Sequence, residues 1–320
     1  MATAEDLAAS HYLQQVAVSN AAAYRAQAMW QSVDRNRIAG SWAELLPQVV
    51  QTITAAQYLA ASGAQDYITG SLQAQGLDDA GATIVPSAFA GTAADGRPLA
   101  GLLASPVYAS LDGIKSGMSV DRAMGAGLNQ LVMLASSTVT DAGRVADGVG
   151  VATRSTRTGY VRMLSPPSCA RCAILAGKFY RWNAGFQRHP QCKCIHIPTE
   201  ENASGDKRTN PYAYFKSLSP DEQRKYFTDA GAKAINDGAD INQVVNSRRG
   251  MNAAGMKTTE GTSKRGYYRG ESGSKVRLTP EAIYKLNGND RAAAVRDLEK
   301  YGYIIPQGQV PGGAIRNGVR

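Results

Sequence analysis

The sequence predicts an α+β protein that is mainly α-helical, and three observations support this class. Alanine-rich stretches with apolar residues at helical spacing fill the first half of the chain. Two short β-prone runs accompany a group of cysteines and histidines in the middle. A basic, glycine-rich stretch follows towards the C-terminus. We therefore expect long N-terminal helices, a small α+β module and an extended basic C-terminal tail.

The first predicted domain spans residues 1–158 and is helical. Thr3 and Ser119 are the predicted N-caps of its first and last helices, and Pro47 is placed in the first turn of the second helix. Few charges and many small residues suit close helix packing, and each helix face can belong either to a plain helical core or to a contact with an assembly partner. The expected helices cover residues 4–32, 43–75, about 98–113 and about 120–145, with a loop over 76–97.

The second predicted domain, residues 159–200, is the small α+β module. Tyr160–Leu164 is the first strand-like run, and Ser165-Pro166-Pro167 ends it. Gly177–Trp182, which contains three aromatic residues, is the second. The cysteines and histidines lie around and after these runs, so the module holds the most distinctive chemistry of the chain.

The C-terminal part is predicted as two further regions. Residues 201–245 form a short helical region, in which Ser219 caps a helix that begins with Pro220. Residues 246–320 form a basic, partly disordered tail with short helices that start near Thr279 and Asp290. Order is doubtful from 246 to 278 because glycines are frequent and aliphatic residues are few.

Charge is distributed unevenly along the chain. Residues 1–145 hold seven Lys/Arg against eleven Asp/Glu, whereas residues 146–320 hold 28 against 15. Only the second half is therefore expected to approach a polyanion, although a solvated basic surface would give the same pattern. No apolar run is long enough for a membrane span, and the polar N-terminus has no secretory signal. The cysteines are expected to stay reduced.

All four cysteines lie within one window of 26 residues that also holds His189, and His196 follows two residues after it. Two close pairs joined by a short loop have the spacing that tetrahedral zinc requires. Our preferred ligands are Cys169, Cys172, His189 and Cys192, and a rival set replaces His189 with Cys194. Four protein ligands leave no position for water, so the predicted Zn²⁺ is structural.

Two other interpretations of the cysteines stay open. They are reduced, unligated thiols that act as small hydrophobic residues, or a redox pair. A redox pair is expected at the start of a helix that follows a strand, and it needs one Cys-x-x-Cys pair rather than two pairs with histidines.

Residues Gly159 to Pro198 carry an ordered set of motifs. A Cys-x-x-Cys (Cys169, Cys172) is followed by a Gly-Lys-Phe-Tyr turn that starts at Gly177, and then by His-Pro-x-Cys-x-Cys from His189 to Cys194. This order resembles the phage Mu F-like minor head proteins, in the form found in tailed phages of actinobacteria.

The resemblance implies a non-enzymatic minor capsid protein that acts in procapsid assembly and in DNA packaging or delivery. It implies the portal protein, a scaffold or major capsid protein and phage genomic DNA as partners, with no membrane. The protein would lie in the interior of the virion head, and in the host cytoplasm during assembly.

Two rival functions come from other classes. One is a stand-alone, zinc-dependent protein that binds nucleic acid without sequence preference. The other, less favoured, is a nuclease of the His-Asn-His type, which needs a catalytic histidine beside a separate metal. Only His11 remains outside the cluster, and we expect its replacement by alanine to change nothing.

The basic tail supplies the candidate DNA contacts. Cations neutralise phosphates, and tyrosines stack on exposed bases, so any contact should be independent of sequence and steeply dependent on salt. A flexible, solvated tail is the competing interpretation. The candidates are Arg248, Arg249, Lys257, Lys264, Arg265, Tyr267, Tyr268, Arg269, Lys275 and Arg277.

Overall fold

A computed structural model of the chain describes residues 2–154, 157–184, 194–203, 210–262 and 276–304. Helix accounts for 63% of these residues and strand for 8%, which confirms the prediction of a mainly helical protein with a small sheet. The chain divides into two compact units. The first comprises Met1–Met163 and Lys178–Lys207, and the second comprises Leu164–Gly177 and Arg208–Arg320.

The first unit is a bundle of long helices. Its central helix, α5, packs against α1, α2 and α4, and α2 also packs against α1 and α4. A short 3-10 turn lies between α3 and α4 at Pro86–Phe89. The helices are α1 (Ala4–Gln31), α2 (Ile38–Ser62), α3 (Ala64–Gln73), α4 (Leu99–Lys115) and α5 (Val120–Ala152).

Two of these helices begin at the caps that the sequence predicts. The Thr3 side chain accepts a hydrogen bond from the Asp6 backbone N–H, and the Asp6 carboxylate accepts one from the Thr3 N–H. Ser119 Oγ accepts from the Arg122 N–H at the start of α5. These caps satisfy donors that a first helical turn leaves unpaired. α5 runs well past its predicted end near residue 145.

The second predicted helix has different bounds in the structure. α2 starts at Ile38, so Pro47 lies in the helix interior and its predicted first-turn position is wrong. α2 ends at Ser62, and α3 follows after Gly63, so the single helix over 43–75 is two helices. A Cβ on Gly63 would lie 3.4 Å from the His11 ring, so α1 lies at van der Waals distance from the junction between α2 and α3.

Two tryptophans anchor one part of the bundle core. Trp30 and Trp42 meet edge to face, with ring centroids 4.9 Å apart. Their indole N–H groups donate to the backbone oxygens of Met124 and Leu103 at 3.1 and 3.0 Å. Both side chains are buried. Because each N–H keeps a partner, the rings contribute apolar burial without leaving a buried donor unsatisfied.

A three-stranded antiparallel sheet, in the order β2-β1-β3, completes the first unit. β1 (Thr158–Met163) and β2 (Phe179–Arg181) coincide with the two predicted runs, whereas β3 (Ile195–Glu200) is missing from the prediction. Pro198 argues against a strand in the sequence, but β3 is an edge strand, where proline is tolerated. Strand β3 packs against α1 and α3.

The second unit consists of short helices and a two-stranded ladder. Helices begin at the predicted caps Ser219, Thr279 and Asp290. Its elements are α6 (Ala170–Leu175), α7 (Pro211–Ser217), α8 (Pro220–Phe227), α9 (Asp229–Asn236), α10 (Ile241–Ser247), β4 (Lys257–Thr258), β5 (Arg277–Leu278), α11 (Pro280–Asn287) and α12 (Arg291–Lys300).

The predicted tail is described over residues 246–262 and 276–304, and its short helices predicted near Thr279 and Asp290 are α11 and α12. Arg277 is only 1% exposed, so it occupies a core position that an aliphatic residue would usually fill. Its guanidinium donates to the backbone oxygens of Glu260 and Tyr301 at 2.8 and 2.9 Å, and it lies 4.1 Å from the centre of the Tyr303 ring. A hydrogen-bonded cation stacked on a buried ring thus organises a stretch with few apolar residues. In the described ranges, no helix is both long and apolar enough to cross a membrane.

Candidate functional site

The predicted metal ligands fall in three parts of the chain. Cys169 and Cys172 belong to the second unit, at the start of α6. Cys194 belongs to the first unit and directly precedes β3. His189 and Cys192 lie outside the described residues. The structure therefore describes two of the four preferred ligands, Cys169 and Cys172. It also describes the alternative ligand, Cys194.

Cys169 and Cys172 lie on one turn of backbone. Cys169 is the N-cap of α6 and has an extended backbone, and Cys172 is the third residue of the helix. Their Sγ atoms are 3.4 Å apart. Two thiolates at ~2.3 Å from a tetrahedral zinc ion lie about 3.8 Å from each other. The pair therefore fits two positions on one zinc ion after a small shift.

The backbone before Cys169 is fixed by Tyr214 of α7. The Tyr214 hydroxyl donates to the Ser168 carbonyl oxygen and accepts from the Ser168 N–H, both at 2.8 Å. Burial raises the pKa of Tyr214, and the hydrogen bond from the Ser168 N–H opposes that rise. The hydroxyl is consequently protonated at neutral pH and holds the start of the Cys-x-x-Cys turn in place.

Within the parts of the chain that the structure describes, no three His, Cys, Asp or Glu side chains form a group that would hold a metal ion. Cys194 is 2% exposed. Among the described residues, the fit to zinc consequently rests on the Cys169–Cys172 pair.

His196, an additional donor in the sequence, is part of an aromatic stack on the sheet. Its ring lies 4.1 Å from the Tyr160 ring at an angle of 21°, and Tyr160 stacks in turn on Tyr180 at 5.4 Å. Burial raises the pKa of Tyr180, and the nearby Arg162 opposes that rise. The three rings cross β3, β1 and β2 and bind the sheet together through its side chains.

His11 belongs to a buried polar network, and the expectation that its replacement changes nothing is not supported by this position. Its Nε2 lies 3.0 Å from Asp147 Oδ1 and 2.8 Å from Gln15 Nε2. Its ring stacks on Tyr67 at 4.2 Å. The Tyr67 hydroxyl donates to the His196 carbonyl oxygen, and burial raises the pKa of Tyr67. The network joins α1, α3, α5 and β3.

A cavity of about 530 Å³ lies beside α5 in the first unit. Val145, Gly148 and Val149 of α5 line it together with Tyr160 and Trp182. The two valines and the tryptophan are between 39% and 46% exposed. The volume is in the range of small-molecule sites. The sequence did not reveal this cavity because its lining comes from separate regions; the spacing of the valines was the only local signal.

The candidate DNA contacts have different environments. Arg248 and Arg249, just after α10, are exposed, as is Lys257 in β4. Arg277 is buried and hydrogen-bonded to backbone oxygens, which removes it from the set of accessible phosphate contacts. The other candidates lie outside the described residues: Lys264, Arg265, Tyr267, Tyr268, Arg269 and Lys275.

The structure thus offers three features with functional meaning: a close pair of thiols at the start of α6, exposed basic residues after α10, and a helical bundle with little charge. Comparison with protein-family models, with curated proteins and with solved structures finds no match to this chain. A function is therefore inferred from the sequence motif, and these three features are considered beside it.

Proposed function

We propose that the chain is a non-enzymatic minor head protein of a tailed phage, which acts in procapsid assembly and in DNA packaging or delivery near the portal. The proposal rests on the ordered motif from Cys169 to Cys194. Its Gly177 has a φ of 71° and leads into β2, and this left-handed conformation favours glycine. The glycine of the motif therefore has a structural role, because it permits the left-handed turn that leads into β2.

The helical bundle is the proposed contact surface for the portal protein. Between Glu44 and Asp66 the chain carries no charged residue. Tyr58 and Leu59 of α2 are nevertheless 47% and 54% exposed. Large apolar side chains on an uncharged surface are typical of protein–protein contacts. The scaffold or the major capsid protein are the other proposed partners, in the head interior and in the host cytoplasm during assembly.

Co-sedimentation with the portal protein of the same phage tests this contact. We expect Leu59→Lys to weaken binding by at least about tenfold, because it places a charge in an apolar interface. Gln31→Lys is the control, since it adds the same charge at an exposed site of α1, outside the uncharged stretch. No co-sedimentation of the unaltered protein, or equal weakening by both variants, would contradict the assignment.

A structural Zn²⁺ is the proposed cofactor. Cys169 and Cys172 would supply two thiolates, and their 3.4 Å separation is compatible with this role. His189 and Cys192 would complete the preferred set, with Cys194 in place of His189 in the rival set. Bound in this way, the ion supplies cross-linking of the chain and no catalytic position.

Metal analysis of the purified chain tests the zinc proposal. We expect about one zinc ion per chain in the unaltered protein and loss of the metal in Cys172→Ser. His189→Ala and Cys194→Ala decide between the two ligand sets, because only the variant that removes a true ligand should lose metal. An unaltered protein purified without metal would refute the proposal.

DNA contact is assigned to the exposed basic residues of the second unit. The double variant Arg248→Gln/Arg249→Gln should lower the slope of log affinity against log salt by up to about two, because each lost phosphate contact removes about one. Arg25→Gln, an exposed arginine in the first unit, is the control. Unchanged slopes, or no DNA binding at low salt, would count against this contact.

A stand-alone nucleic-acid-binding protein is the second candidate, and exposed Arg248 and Arg249 favour it. It predicts salt-sensitive DNA binding without portal binding, so the two assays above separate the candidates. A His-Asn-His nuclease is less favoured, because His11 is buried and occupied by Asp147 and Gln15. Metal-dependent cleavage that disappears in His11→Ala would revive it.

A further inference from the structure

The two cysteines at the start of α6 differ in a way that zinc ligation does not require. Cys172 is 2% exposed, whereas Cys169 is partly exposed. Their sulfur atoms are already in contact at 3.4 Å. An accessible thiol beside a buried one is the arrangement that a two-step thiol–disulfide exchange uses.

We propose that Cys169 and Cys172 form a redox-active dithiol, which a small disulfide such as oxidised glutathione converts reversibly into an intrachain disulfide. A disulfide requires the sulfurs at about 2.05 Å, so they need to approach by a little over 1 Å. The flanking backbone is held by the two hydrogen bonds between Tyr214 and Ser168. In the proposed closure the two sulfurs move towards each other while Ser168 stays hydrogen-bonded to Tyr214 of α7.

The difference in exposure sets the order of the two steps. The Cys169 thiolate attacks one sulfur of oxidised glutathione; a bond forms between Cys169 and that sulfur, the glutathione disulfide breaks, and one glutathione leaves as its thiolate. The buried Cys172 sulfur then attacks the Cys169 sulfur, which releases the second glutathione. The protein dithiol loses two electrons and two protons, and one molecule of oxidised glutathione becomes two of the reduced form.

The proposed zinc and this disulfide use the same two sulfur atoms, so they exclude one another. The dithiol chemistry depends neither on the metal nor on the proposed head-protein role. If zinc is bound, oxidation of the pair removes two of its ligands and releases it. The redox state of the compartment would then determine the bonding of the Cys-x-x-Cys turn and, through it, the local structure around α6.

The full-length, reduced and chelator-treated protein, incubated with oxidised glutathione and analysed by intact mass and peptide mapping, tests the proposal. The unaltered protein should lose two hydrogens, retain no glutathione and show a Cys169–Cys172 link. Cys172→Ser should trap one glutathione on Cys169. Cys169→Ser should modify Cys172 at least about tenfold more slowly, because that thiol is buried.

Several outcomes would overturn the inference. They are a stable glutathione adduct on Cys169 in the unaltered protein, a link from either thiol to Cys192 or Cys194, or equal reaction rates at the two thiols. Far-UV circular dichroism confirms that each variant is folded. Metal content is measured on a separate sample and tests the zinc proposal alone. Protein that contains no zinc but forms the disulfide would refute the zinc proposal and leave the dithiol proposal standing.

Tyr214 is the proposed positioning residue for the second step. Tyr214→Phe removes the hydroxyl that holds Ser168 and keeps the ring. We expect glutathione to attach to Cys169 at the unaltered rate and the mixed disulfide to persist several-fold longer before Cys172 closes the ring. A variant in which both steps change equally would show that Tyr214 acts only through general stability.

Discussion

Two glycines of the central helix α5 should respond in opposite ways to alanine. Gly127 and Gly125 are two residues apart. A Cβ on Gly127 would lie 2.2 Å from Ser110 Oγ, 2.7 Å from the Trp30 ring and 2.8 Å from the Pro106 backbone oxygen. A Cβ on Gly125 would meet no atom within 4 Å. Gly127→Ala should therefore destabilise the bundle, and Gly125→Ala should stabilise it.

The magnitudes follow from three contributions. Alanine is favoured over glycine inside a helix by about 0.5–1 kcal/mol, and this applies at both positions. Overpacking at Gly127 costs about 1–3 kcal/mol, because the Pro106 carbonyl belongs to the backbone and cannot rotate away. Ser110 Oγ, which bonds the oxygens of Pro106 and Ala123 at 3.1 and 3.0 Å, would lose about 1 kcal/mol on turning aside. The net loss for Gly127→Ala is about 1–3 kcal/mol.

Thermal unfolding followed by circular dichroism at the helical band measures both effects. For a unit of this size, 1 kcal/mol corresponds to a shift of about 2–4 °C. We expect the midpoint of Gly127→Ala to fall by about 2–12 °C and that of Gly125→Ala to rise by about 1–4 °C. If Gly127→Ala is as stable as Gly125→Ala, the close approach of α5 to α1 and α4 is refuted.

Three further predictions concern buried polar groups. His11→Ala leaves the Asp147 carboxylate without its histidine and should lower the free energy of unfolding by about 2–4 kcal/mol; in a denaturant double-mutant cycle the loss should not add to that of Asp147→Ala. Burial raises the pKa of Tyr303 to about 12, against ~10 when unfolded, so its contribution to stability is complete below about pH 10 and is lost as the pH rises through about 12. Tyr303→Phe should therefore reduce the alkaline loss of stability, measured by urea titrations from about pH 9 to 11.5, by up to ~1.4 kcal/mol per pH unit; an unchanged alkaline slope would contradict this. Arg277→Met should lower the free energy of unfolding by about 2–4 kcal/mol, because the backbone oxygens of Glu260 and Tyr301 lose their donor. Arg277→Lys should restore little of this loss, since an ammonium group cannot reproduce the forked donors of a guanidinium. Full rescue by lysine in the same titration would contradict this.

Helix starts were predictable because caps are local signals. Thr3, Ser119, Ser219 and Thr279 each cap a helix where the sequence predicts one. A cap involves residues within one turn, so no tertiary information is needed. The break at Gly63 escaped prediction because a single glycine inside a helical pattern is a weak stop signal, and helix-forming residues continue on both sides of it.

The closeness of Cys169 and Cys172 was predictable from the sequence, and the surroundings of the pair were less so. The Cys-x-x-Cys pattern predicted two adjacent sulfurs, and the structure has Cys169 and Cys172 in contact. The predicted module over 159–200 treated both cysteine groups as one unit, whereas residues 164–177 cluster with the second unit. His11 lacked a role in the sequence because its partner, Asp147, is 136 residues away.

The chain leaves the first unit after β1, contributes residues 164–177 to the second unit, and returns for β2 and β3. During synthesis, α6 emerges before its packing partners α7 and α10. Its apolar residues Ala173 and Ile174 are therefore buried only after those later helices have been made. A truncation after residue 207 would leave α6 without those partners. Any exchange of the C-terminal half between related chains would therefore have to include residues 164–177, because the second unit is built from two separate segments of the chain.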